Sequence, residues 1–412
     1  MATTRPLAAL AVCALLVTPA VPAHADSAWL DLDLSSTDRN GLTLGSEGLR
    51  LEPENSARLE GQPRGLATFP EQHLEETDTV DVDITGEALT EARGVRADGM
   101  WTEWHPTEPG GGRVGLPEPV SAVQLRVELS DPESSVTRAR VRPVESSAPG
   151  PERAPDDGPE PTDEAGGDDI EPFSARLFAT RIGLVGNSTA NGHTVRPDDH
   201  FVALPSRRGL ANRGGGEYTV RVCSTGDLGP ESNRDEEHVQ RCSYLPVWDV
   251  GPWNINDDHW NEDRESWSGL DRGRPQAQAA YTEGHNSGLD GSGRRVQNPA
   301  GIDLADGAFN QGLQLPTNAW VQVDYLWTTP YQARTEVVTE TRSDPVIIRD
   351  GPGSSHETVG LAAYKANVDV ACQTSGDQAT GPSGTTDTWY RIGEDHYIPA
   401  AFTEGADAPD CE

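Results

Sequence analysis

The sequence predicts an all-β protein. Short runs alternate apolar and polar residues with a period of two. Examples are Val80-Asp81-Val82-Asp83-Ile84, and Val120 to Leu129 with Val123, Leu125, Val127 and Leu129 on one face. Two later runs do the same: Tyr218 to Val222, and Trp320 to Trp327 with Val321, Val323, Tyr325 and Trp327 on one face. Turn-forming residues punctuate the runs, and no long 3.6-residue apolar period appears in the N-terminal part.

The elements follow in chain order. Arg5, the apolar run Leu7 to Val17 and the small-x-small site Ala23-His24-Ala25 read as a secretory signal peptide over residues 1–25. Its apolar core is too short for a membrane span. Leu10-Ala11-Val12-Cys13 faintly resembles a lipoprotein box, but Val12 is wrong for the position before the cysteine. The expectation is an exported protein, extracellular or wall-associated, without membrane insertion. Removing the signal removes Cys13 and leaves Cys223, Cys242, Cys372 and Cys411. An even count outside the cell points to two structural disulfides, and sequence order suggests Cys223–Cys242 and Cys372–Cys411. Two other pairings are formally possible, and the spacings match no zinc pattern, so no metal or other cofactor is expected. The net charge of −35 opposes nucleic acid and anionic lipid as partners.

Residues 26–146 read as a β-sandwich. Residues 147–172 hold almost no large apolar side chain, which makes them a self-repelling acidic Pro/Gly linker. Residues 173–332 return to strand patterns. Pro275 to Tyr281 reads as a short helix with proline in its first turn, and Asp303 to Leu313 as a second helix candidate with Asp303 as its cap. Residues 335–412, with Pro345 to Gly353, Val368 to Cys372 and Thr388 to Ile392, fit a small barrel.

Two segments carry the chemistry. Val247-Trp248-Asp249-Val250-Gly251-Pro252-Trp253 and Asn298-Pro299-Ala300-Gly301-Ile302-Asp303-Leu304-Ala305 each place one carboxylate beside small or rigid backbone residues. Two acids over a groove are the means of gripping or cleaving a sugar chain. Each has a plainer alternative: Asp303 as a helix cap, Asp249 as the acceptor of backbone donors at a Gly-Pro turn. Trp253, Trp260 and Asn254 are assigned to substrate contact, and Trp248 and Trp267 to packing. Asp257, Asp258 and His259 lack a complete ligand set and read as a solvated turn. Trp101 and Trp104 read as core or rim packing.

These motifs carry resemblances. Ala179-Thr180-Arg181-Ile182-Gly183, Ala190-Asn191-Gly192, His200-Phe201-Val202-Ala203-Leu204-Pro205, Asp249-Val250-Gly251-Pro252 and Asp303-Leu304-Ala305 with Phe309 resemble, in order, the double-psi β-barrel family of rare lipoprotein A and the expansins. Val250 replaces that family's arginine and Ala305 its serine. His200 is offset by about a residue, and a long insert, roughly 253–298, separates the two acids. Residues 343 to 402 are similar to bacterial SH3 domains, which commonly bind peptidoglycan. Gly94 to Trp104 resembles a segment of β-domains that precede amidase modules in secreted actinobacterial proteins. The resemblance implies a groove over Asp249 and Asp303; His200 is assigned either to orienting one acid or sharing a proton, or, as the favoured reading, to a structural role. Three functions stand open. One is a secreted wall-binding or wall-remodelling protein acting on peptidoglycan or another polysaccharide. The second is a lytic transglycosylase or glycoside hydrolase using Asp249 or Asp303, and the third a secreted protein-interaction module.

Overall fold

The computed structural model of the chain describes residues 28–54, 56–59, 62–144, 171–329 and 333–412. The expected signal peptide and the linker up to residue 170 lie outside them. The alternating runs become strands, and the protein is all-β, as the sequence predicts. In the N-terminal unit the long strands Gln72–Gly86 and Gly111–Leu129 pair antiparallel around one core. A register shift between Gly115 and Val120 breaks this pairing. It falls at Gly115, Pro117 and Pro119, residues that interrupt a regular ladder. Beyond it the same strand pairs with Leu89–Val95 and Gln62–Thr68, so a single sheet folds over on itself.

In the middle unit six strands pair into a ring among the described residues. Thr219–Leu228 pairs with Ala319–Tyr325, and that strand with Ser174–Arg181. Ser174–Arg181 then pairs in parallel with Ala300–Leu304, which is antiparallel to Val202–Leu204. Val202–Leu204 pairs in parallel with Cys242–Val250, and Cys242–Val250 pairs back to Thr219–Leu228. The ring is therefore a closed barrel. Leu177, Val321, Val323 and Tyr325 fill its interior with no exposed surface, each burial being worth about 1.5–3 kcal/mol for an aliphatic or aromatic side chain.

The C-terminal strands extend this sheet. Thr358–Ala362 pairs in parallel with Cys242–Val250, placing Gly360 opposite Cys242. A Cβ at 360 would lie 1.9 Å from the Cys242 carbonyl oxygen, so the pairing requires glycine. The sheet then runs through Val346–Arg349, His396–Pro399, Gly384–Gly393 and Cys372–Gly381. Both disulfides form in the suggested pairing, Cys223–Cys242 and Cys372–Cys411.

Val123, Leu125, Val127 and Leu129 face the core of the N-terminal unit, on one face as predicted, but Gln124, Arg126 and Glu128 between them are buried too. The barrel covers that second face. Arg126 donates to Glu91 Oε2 at 2.7 Å and to the Arg207 carbonyl at 2.8 Å. Arg93 donates to Gln124 Oε1, Glu217 Oε1 and the Tyr218 hydroxyl. The guanidinium carbons of Arg93 and Arg126 lie 4.3 and 4.2 Å from the Trp104 ring centroid. Trp104 is fully buried and donates to the Leu210 carbonyl, so it packs as expected, though against the neighbouring unit.

Glu103 is the most committed acid of this layer. It accepts from Trp260 Nε1 at 2.6 Å, Trp327 Nε1 at 2.7 Å and Asn261 Nδ2 at 2.6 Å, with Arg208 Nε 3.4 Å away. Glu103→Ala leaves buried donors unpaired, and the expected loss is about 3–5 kcal/mol of unfolding free energy. Urea unfolding monitored by tryptophan fluorescence measures it; a loss below about 1 kcal/mol, the scale of a surface pair, contradicts this account.

Candidate functional site

The site is built from register. Ala203, in the middle of Val202–Leu204, is opposite Asp249 on one side and Asp303 on the other. Neighbouring strands are about 4.8 Å apart, so the two aspartates sit roughly 10 Å apart across Ala203 at their Cα atoms, with side chains on the same face. Both line one cavity of about 170 Å³, with Ala203 between them. Its walls include Ile182, Leu184, Ser188, Pro252 and Trp253, and among the described residues Arg294 is the one cation that lines it.

Each acid is held by one oxygen. Asp249 Oδ1 accepts from the Ala190 N–H at 2.8 Å and from its neighbour Val250 N–H at 2.9 Å. Asp303 Oδ1 accepts from the Thr180 hydroxyl, which the parallel pairing places directly opposite. The second oxygen of each bonds no described residue. Burial pushes Asp249 up to about 7; the two backbone donors oppose the shift and the charge of Asp303 adds to it. Burial likewise pushes Asp303 up to about 6, opposed by the Thr180 hydroxyl.

The sequence expectations fare unequally. Asp249 and Asp303 come together. The plainer reading of Asp249 holds in part, since it accepts backbone donors, but from Ala190 as well as from its own turn. Asp303 caps no helix. It lies inside the strand Ala300–Leu304, and the helical turn starts only at Asp306. The helix at Pro275 forms as Gln276–Glu283, ended by Gly284 in the left-handed region. His200 does not join the acids. It is buried outside the cavity, three residues before Ala203 and therefore about 10 Å along an extended chain. Burial lowers its pKa.

Among the residues assigned to substrate, Trp253 lines the cavity half-buried, its Nε1 donating to Asn298 Oδ1 at 3.0 Å. Asn254 borders the cavity, but both ends of its amide are used, Nδ2 donating to Gln276 Oε1 and Oδ1 accepting from the Gly291 N–H. It shapes the wall, and both ends of its amide are tied to the insert. Trp260 is corrected outright. It has no exposed surface and stacks on Tyr325 at 5.2 Å inside the core. Trp248 packs as expected, stacked on Phe201.

The solvated turn at Asp257, Asp258 and His259 is also corrected, because all three are fully buried. Asp257 pairs with Arg264, Asp258 with Arg208 at 2.7 Å, and His259 Nε2 hydrogen-bonds the Tyr325 hydroxyl at 2.8 Å. They stitch the insert to the barrel. No group of His, Cys, Asp and Glu among the described residues is arranged to hold a metal ion. Sequence reasoning missed Thr180, Ala190 and Ala203 as supports of the acids, although all three stand inside the quoted motifs. Arg294 carried no signal.

A buried carboxyl with a raised pKa binds its proton more tightly in the folded than in the unfolded chain. Asp249 therefore lowers stability as pH rises from about 4 to about 7, the interval between its unfolded and folded values. Asp249→Asn keeps an acceptor for both N–H groups and removes the charge. It is expected to raise Tm at pH 8 by a few degrees and to leave Tm near pH 4 unchanged. Calorimetry at the two pH values tests this; an equal or lower Tm at pH 8 contradicts it.

Among the described residues no helix is long and apolar enough to cross a membrane, and the two disulfides are compatible with an extracellular protein. No curated protein and no solved structure matches the chain. Residues 173–324, a little over a third of the chain, match the family described as Domain of unknown function (DUF8814), and that match spans the six-stranded barrel with its insert.

Proposed function

We propose that this is a secreted, wall-associated protein that binds peptidoglycan, or a polysaccharide like it, in the cavity between Asp249 and Asp303. The observation that carries the reading is the pair of carboxylates flanking Ala203, each held by one oxygen with the other unpartnered at a shared cavity. At about 170 Å³ the cavity is smaller than the roughly 300–1,000 Å³ of pockets that enclose a whole ligand, and it suits one ring of a chain whose other units run outside. Half-buried Trp253 offers an aromatic face at its side, of the kind on which sugar rings stack. The closed six-stranded ring with two parallel pairings supports the double-psi resemblance, and the C-terminal strands support an SH3-like unit that adds to wall contact.

The burial of both acids favours acid catalysis in addition to binding. Burial keeps Asp249 protonated close to neutral pH while Asp303 ionises lower. That is the division needed to protonate a glycosidic oxygen with one group and assist from the other side with its partner. A lytic transglycosylase needs only the first, whereas a hydrolase uses both. His200 has no part in this scheme, because it lies outside the cavity.

Incubating the purified mature protein with peptidoglycan sacculi tests both statements. Pelleting with the sacculi is expected. If Asp249 acts as the acid, anhydro-muropeptides or reducing ends are released by the wild type and not by Asp249→Asn, which still pellets. Pelleting without soluble products restricts the function to binding. Failure to pellet at low and at high salt overturns the glycan reading and leaves protein interaction.

A further inference from the structure

We propose that Asn40, on the N-terminal unit, is a positioning residue for Asp249, and that this unit thereby forms part of the acid site. The inference rests on the reading of Asp249 as the site's acid. The Ala190 N–H that donates to Asp249 Oδ1 belongs to a tight turn. That turn is closed by the bridge between Ser188 and Thr194, by Thr189 N–H to the His193 carbonyl at 2.8 Å, and by Gly192 N–H to the Thr189 carbonyl at 3.0 Å. Asn40 ends the strand Asp38–Asn40 of the sandwich and brackets the two residues before Ala190. Its Nδ2 donates to the Thr189 carbonyl at 3.3 Å, and its Oδ1 accepts from the Ser188 hydroxyl at 3.2 Å.

Two packing contacts seat the same turn. Gly192 has φ +91°, and a Cβ there would approach Asn40 Cβ to 2.8 Å, so the turn lies directly against the asparagine. Leu66, also of the sandwich, packs against Ala190, Leu210 and Val250. Ser188 itself lines the cavity. The cavity wall from Ser188 to Ala190 is thus clamped between barrel and sandwich. Releasing the clamp withdraws a hydrogen bond that favours the charged carboxylate and so raises the pKa of Asp249. The other charged groups lining the cavity, Asp303 and Arg294, stay in place when Asn40 is changed.

Carboxyl ¹³C NMR titration of the intact protein tests this without any glycan, so its outcome is separate from that of the sacculus experiment. Asn40→Ala is compared with wild type and with Asp38→Asn. The latter breaks the Arg213–Asp38 ion pair at the same edge of the interface, and Asp38 makes no hydrogen bond to the turn. The expected result is that Asn40→Ala moves the Asp249 midpoint upward by at least a few tenths of a pH unit, while Asp38→Asn leaves it in place. Asn40→Ser replaces Asn40→Ala if the latter fails to fold. An unchanged midpoint, or an equal shift in Asp38→Asn, overturns the proposal. A shifted midpoint in a protein that ignores sacculi removes only the functional reading.

Discussion

The structure depends on the register of one three-residue strand. Val202–Leu204 is paired on both sides, and Ala203 is the residue that meets both aspartates. Side chains alternate along a strand, so a slip of one residue on either side would turn one acid to the opposite face and leave the cavity with a single carboxylate. Ring closure prevents the slip, because Cys242–Val250 is also bound to Thr219–Leu228 along its outer edge. The Cys223–Cys242 disulfide joins directly opposed residues of those two strands, seven positions before Asp249 on its own strand. Alanine at 203 matters for its size, since a larger side chain there would fill the space that the two carboxyls share.

The barrel does not build its cavity alone. The insert supplies Trp253, Asn254 and Arg294 to the wall. It is fastened to the barrel by Asp257, Asp258 and His259, and to the N-terminal unit by Glu103 through Trp260 and Asn261. These fasteners are charged or polar and buried. Such groups fix a geometry well, because losing one partner leaves the other unpaired in a poorly solvated place. The arginine–tryptophan layer around Trp104 does the same on a larger scale. An apolar interface would tolerate sliding, whereas each guanidinium here has a specific set of acceptors.

Much of the fold was legible because strand periodicity is local. The runs at Val80, Val120, Tyr218 and Trp320 all became strands, and the disulfides followed from sequence order within proposed units. Asp249 and Asp303 were legible because each sits in a motif whose order along the chain carried a resemblance. What was not legible depends on partners far away in sequence. Nothing near Trp260 reveals that Glu103, more than 150 residues earlier, accepts its N–H. Asp257, Asp258 and His259 look like a solvated turn until Arg264, Arg208 and Tyr325 are placed against them. Asp303 resembles a helix cap in sequence because Asp306 follows three residues later. The parallel pairing with Ser174–Arg181 instead extends the strand through Leu304 and offers Thr180 as the acid's partner. Gln124, Arg126 and Glu128 alternate as a solvent face would, and only the docked barrel buries them.

The two acids are unequal for a reason that the local bonds alone would invert. Asp249 accepts two backbone N–H groups and Asp303 one hydroxyl, and hydrogen bonds to the charged form lower a carboxyl's pKa. On that count Asp249 should ionise first. It ionises last because burial outweighs its donors and because the charge of Asp303 acts on it across Ala203. The pair therefore loses protons in two steps that belong to it jointly. As pH rises toward 7, burial is the main reason a proton stays on the pair, and the charge of Asp303 adds to the hold on Asp249. One proton donor facing one carboxylate is thus a consequence of placing two desolvated acids on the strands either side of a small residue, and it requires no cation in the cavity to arise.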